Sequence, residues 1–162
     1  MKKLVMVITL AVILAVGAAY ADHPDGFGIG VQFGGNSYWG GYWSSGGALT
    51  LKIPSLPIFW AVNFAMGPSY MWLNLSGDYY LIDNRLIETL HWYLGVGGYV
   101  GIGMGNPLGL DFGARLPIGL SWQPLDLLEI YLQVVPSIGL GILPGIGLGG
   151  GLGGNLGIRL WF

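Results

Sequence analysis

The chain has 162 residues, 53% of them hydrophobic and only 9% charged, with 31 glycines, no cysteine and a formal net charge of −2. Soluble domains carry about 25% charged residues, so these side chains cannot clothe a water-facing surface. The lack of cysteine excludes disulfides, thiol catalysis, thiolate metal sites and lipidation.

Lys2 and Lys3 precede an apolar run over 4–18, closed by Ala19-Tyr20-Ala21. A positive region, a short hydrophobic region and an A-x-A site spell a secretory signal peptide over 1–21, cut before Asp22. The mature chain, 22–162, then keeps four basic and eight acidic side chains, a formal net charge of −4. That balance argues against nucleic acid as a partner. Beyond the leader no apolar run reaches the ~20 residues of a spanning helix. Hydrophobicity arrives instead in short alternating pieces. The one spanning architecture open to such pieces is a closed β-barrel, because hydrocarbon cannot satisfy an open sheet edge.

Eight strands are predicted from this alternation. The first sets Phe27, Ile29, Val31 and Phe33 against Gly28, Gly30, Gln32 and Gly34. Residues 35–46 read as a turn-rich loop carrying Tyr38, Trp39, Tyr42 and Trp43. The second strand, 47–53, is broken by Pro54 and Pro57. The third, 58–66, shows Trp60, Val62 and Phe64 opposite Phe59, Ala61 and Asn63. The fourth, 69–81, sets Leu73, Leu75, Tyr79 and Leu81 opposite Trp72, Asn74, Asp78 and Tyr80. Residues 82–89, with Asp83, Arg85 and Glu88, read as a solvated connection. The fifth strand, 90–103, puts Trp92, Leu94 and Val96 against His91, Tyr93, Tyr99 and four glycines. The sixth, 109–122, sets Phe112 and Trp122 against Asp111 and Arg115. The seventh, 127–142, carries Glu129, Tyr131 and Gln133 on its polar face. The eighth, 148–162, alternates Leu156, Ile158, Leu160 and Phe162 with Asn155, Gly157, Arg159 and Trp161. Pro117 and Pro136 each delete a ladder hydrogen bond, so a bulge or local break is expected at each.

Every charged residue within these strands falls on the non-apolar face. A surface made mostly of glycine would serve a soluble barrel poorly, so the apolar face is assigned to lipid and the polar face to the lumen. Counting from a periplasmic start puts 54–57, 82–89 and 123–126 in the periplasm, and 35–46, 67–68, 103–108 and 143–147 outside. Trp60, Tyr79, Trp92, Trp122 and Phe162 then form an outward aromatic belt at the periplasmic ends. Inside, Lys52, Arg115 and Arg159 balance Asp78, Asp111 and Glu129, because buried charges persist when paired. Hairpin counting sets Glu129 beside Arg159 and Arg115 near Gln133. Eight staves leave an interior about wide enough for side chains, which favours a plug. The glycines at the external end either line a shallow vestibule or relax curvature and tilt.

No catalytic residues are assigned: His91 is an interior strand residue, His23 lies in the leader, and neither has triad spacing to Asp, Glu or Ser. No metal cluster and no cofactor is expected. The readings carried forward are a monomeric barrel with a structural or surface-interaction role, a narrow conduit for small apolar molecules, and, more weakly, a lipid-modifying enzyme. Tyr38, Trp39, Tyr42 and Trp43 either contact an extracellular partner or lipid, or anchor their loop.

The closing segment Asn155-x-Gly157-x-x-Leu160-x-Phe162 resembles the C-terminal signal of bacterial outer-membrane barrels. The mature chain is similar to small eight-stranded barrels of the OmpX, OmpA-transmembrane and OmpW type. Through segments such as 26–30, 93–98, 114–119 and 157–159 it also resembles a family of small outer-membrane barrels known from spirochaetes and other bacteria. The resemblance implies an integral protein of the cell outer membrane. Its partners would be outer-membrane lipid and, during biogenesis, the barrel-assembly machinery that reads the terminal signal. It supplies no catalytic residues.

Overall fold

A computed structural model describes residues 23–24, 26–39, 43–67 and 70–162. The signal peptide expected over 1–21 and Tyr42 lie outside the described residues. Nine strands are described: β1 (Gly28–Tyr38), β2 (Trp43–Lys52), β3 (Phe59–Gly67), β4 (Tyr70–Ile87), β5 (Leu90–Met104), β6 (Gly109–Arg115), β7 (Ile118–Leu125), β8 (Leu128–Leu143) and β9 (Gly147–Trp161). All pairings are antiparallel; β1 to β5 pair in chain order, β6 and β7 both lie between β5 and β8, and β8 pairs with β9, which returns to β1. The sheet therefore closes on itself. At the seam Phe27 N–H donates to Phe162 O (3.0 Å) and Phe162 N–H donates to Phe27 O (2.8 Å). The last residue is thus tied to the first turn of the ring.

β6 and β7 are one stave with a two-residue gap. The pairings Arg115↔Ser137 and Ile118↔Val134 share one register against β8, so nothing slips across the gap. Leu116 N–H donates to Pro136 O (2.9 Å) and Gly95 N–H donates to Pro117 O (2.7 Å). In an antiparallel ladder such pairs exchange two bonds, and in each the return donor is the proline nitrogen that has no hydrogen. The break expected at Pro117 is present. No break occurs at Pro136, where β8 runs on through Pro136↔Leu152. Eight staves result.

The alternation sorts the barrel inside out relative to a soluble protein. Ile29, Leu49, Val62, Leu75, Leu120 and Ile158 are exposed, while Gln32, Lys52, Glu129, Gln133 and Arg159 are buried. The wall is apolar and the lumen polar, which suits hydrocarbon outside.

Two segments differ from expectation. Residues 35–38 and 43–46 are strand rather than loop, because β1 and β2 continue pairing to Ser37↔Trp43. The 82–89 stretch is mostly strand rather than a connecting loop, although residues 84–89 are exposed. β4 runs to Ile87, and only Glu88 and Thr89 turn. Its register shifts between Tyr80 and Ile82, so Leu81 is the extra residue of a bulge. A bulge moves the following side chains to the opposite face. Asp83, exposed by simple alternation, is thereby turned into the lumen, where it is 1% exposed.

Candidate functional site

The lumen has a dense base at the end where His23 and Phe162 lie, and a cavity at the other end. The base is built around Glu129. The β8–β9 register sets Glu129 opposite Arg159, and Arg159 Nη1 donates to Glu129 Oε2 at 2.7 Å. Trp161 Nε1 donates to the same oxygen at 2.9 Å, and Ser121 Oγ donates to Oε1 at 2.8 Å. His23 Nε2 lies 3.2 Å from Oε1. The Arg159 guanidinium sits 4.8 Å from the Phe59 and Tyr131 ring centres, so its faces are covered as well as its edge.

A stack of rings closes the same level. Tyr80 lies between Phe59 and Tyr93, with centroids 4.1 Å and 4.4 Å away and near-parallel planes. His23 meets Phe59, Tyr80 and Tyr93 edge-on. Its Nδ1 bonds the Asp83 carboxylate, and His91 Nδ1 stands 3.8 Å from the other oxygen of that carboxylate. Above the stack runs a belt of amides and hydroxyls. Tyr93 Oη donates to Gln133 Oε1 and Tyr131 Oη to Gln32 Oε1, both at 3.0 Å. Gln32 Nε2 donates to Asn63 Oδ1 at 3.0 Å, and Asn63 Nδ2 to Ser76 Oγ at 3.2 Å.

The six charges read from the sequence divide among levels rather than forming one cluster. Arg159 and Glu129 hold the base. Arg115 Nε lies 3.1 Å from Asp78 Oδ1, and Arg115 is paired with Ser137 on β8, not placed beside Gln133. Lys52 lies near the seam, its Nζ donating to Ile53 O (3.3 Å) and standing 5.7 Å from the Phe59 ring. Asp111 sits apart, on the wall of the cavity. His23 and Asp83 join the base although neither belongs to the predicted set. The bulge and the fold-back of the leader leave no periodic signal.

On the outer wall Trp60, Tyr79, Trp92 and Trp122 are partly or well exposed, and Phe162 stands at the seam. The terminal-signal residues divide by face: Asn155 and Gly157 inward, Leu160 and Phe162 outward. At the far rim Trp39 and Trp43 are 68% and 75% exposed, whereas Tyr38 also lines the cavity. That cavity measures about 330 Å³. Among the described residues no group of three or more His, Asp or Glu is placed to hold a metal ion.

His23 precedes β1 and carries a pH prediction. Burial opposes charging its ring, but the Asp83 and Glu129 carboxylates outweigh that and raise its pKa to about 9. Its contribution to stability is full below its ordinary value near 6.5 and is lost as pH rises through about 9. Urea midpoints of the refolded barrel should fall between pH 7 and 9.5, and His23→Gln should flatten that slope. Equal slopes in the two proteins would refute the role given to His23.

A closed antiparallel ring, apolar without and charged within, has the fold of an outer-membrane β-barrel. Among solved structures the chain is similar to Neisserial surface protein A (NspA), with a TM-score of 0.58 and 13% identity. The likeness covers 84% of this chain and 97% of that one. At such identity it is a likeness of fold. No protein-family model and no curated protein sequence matches the chain.

Proposed function

We propose that the protein is an integral outer-membrane barrel with a structural or surface-interaction role, its lumen sealed by its own side chains. Residues 1–21 would direct export, and the terminal segment Asn155-x-Gly157-x-x-Leu160-x-Phe162 would engage the assembly machinery. The reading extends the resemblance to small spirochaete-type barrels. The observation that carries the seal is the base: Glu129 is 0% exposed and meets His23, Ser121, Arg159 and Trp161. A carboxylate so enclosed, with its oxygens bonded to groups from several staves, supports a base closed by side chains. The exposed Trp39 and Trp43 at the opposite rim are the parts best placed to meet another surface.

Single-channel recording of the refolded protein in planar bilayers tests the seal. No steady conductance is expected from the parent protein. Reproducible openings that widen with Glu129→Ala would instead favour the conduit.

A further inference from the structure

The cavity at the far end has a chemistry of its own. Register places Asn74, Gly101 and Asp111 side by side across β4, β5 and β6. A Cβ on Gly101 would fall 2.3 Å from Asp111 Oδ1 and 3.3 Å from Asn74 Nδ2, so the carboxylate lies across the bare glycine toward the amide. Asp111 Oδ1 has no hydrogen-bond partner among the described residues. The neighbouring cation in the cavity wall, Arg115, stands beside Asp78. Among the described residues, Asp111 therefore stands on this wall as a carboxylate with no cation paired to it.

Aromatic rings flank it on both sides. Two residues along the strands, the Trp72 indole lies against Gly103 and Gly109, each of whose Cβ atoms would fall 2.8 Å from its ring. Two residues the other way, the Tyr99 ring crosses Gly113 and sets its hydroxyl over Gly139. Two residues of strand span about 6.7 Å, so one carboxylate stands between two ring tiers. Trp72, Tyr99, Asp111 and Asn74 all line the cavity. Aromatic faces beside an anion attract cations, most of all soft organic ones, and about 330 Å³ is at the lower end of small-molecule pockets.

We propose that this cavity binds a small organic ammonium ion, its charge at Asp111 and its alkyl groups against Trp72 and Tyr99. The site stands independently of whether the lumen conducts. Isothermal titration of the full refolded barrel, in a sugar-headgroup detergent at pH 7.5, tests it with choline chloride. The neutral isostere 3,3-dimethylbutan-1-ol and sodium chloride serve as controls. Choline should bind at least about tenfold more tightly than the isostere, and Asp111→Asn should remove about that factor. Choline binding no better than the isostere overturns the proposal with the parent protein alone, whether or not the variant folds. Undiminished binding by a folded Asp111→Asn protein overturns it equally.

Discussion

Glu129→Ala should destabilise the barrel by ~3–5 kcal/mol, the cost of removing one partner from a buried ion pair. The substitution leaves the Arg159 guanidinium, 2% exposed, without its countercharge, and strips Trp161 Nε1 and Ser121 Oγ of their acceptor. The loss should appear as a lower urea midpoint by tryptophan fluorescence in vesicles, and as loss of the heat-modifiable gel band. Glu88→Ala, in the exposed β4–β5 turn, should change little. Replacing Glu129 and Arg159 together by leucine should recover part of the deficit, because no charge is then stranded. A Glu129→Ala midpoint equal to that of Glu88→Ala would show that the base does not hold the barrel together.

Gly119→Val should cost about 3 kcal/mol, the upper end of overpacking penalties. A Cβ there would fall 2.4 Å from Tyr93 Cζ, 2.5 Å from Tyr93 Oη and 2.7 Å from the Leu132 carbonyl oxygen. The tyrosine cannot simply swing away. It is fully buried, stacked on Tyr80 and bonded to Gln133. The carbonyl oxygen belongs to a paired strand and yields even less. Gly154 is the control. Nothing lies within 4 Å of its would-be Cβ on the outer wall, so Gly154→Ala should stay within about 0.5 kcal/mol. If both variants unfold at the same urea concentration, the tyrosine-over-glycine contact is not a constraint.

Much of the fold was legible because one interaction dominates each residue of a membrane stave. Each side chain meets either hydrocarbon or the lumen, and period-two alternation records the choice directly. The faces of β3, β5 and β9, and the Glu129–Arg159 neighbours, follow from that period and from hairpin counting. Prolines were legible in part. Pro117 and Pro136 both delete a donor, but at the same height of the wall, so the sixth stave loses a bond on each edge and gaps while β8 loses one and continues.

What escaped the sequence was set by events that break the period. The bulge at Leu81 is one extra residue between ordinary strand residues, and it alone turns Asp83 inward. His23 belongs to no strand, so its place in the lumen depends on a pocket made jointly by β3, β4, β5, β8 and β9. The division of the charges followed the same rule. Which acid meets which base depends on stagger between staves, and stagger is a property of the closed ring. By itself, then, the sequence determined that the chain is an inside-out barrel, because solvent preference is written residue by residue. Only the tertiary structure decided that the base is centred on His23, Asp83 and Glu129 and that Asp111 stands between two aromatic tiers. Apart from His23, those neighbours come from different staves, brought to one height by register and closure rather than by any local pattern.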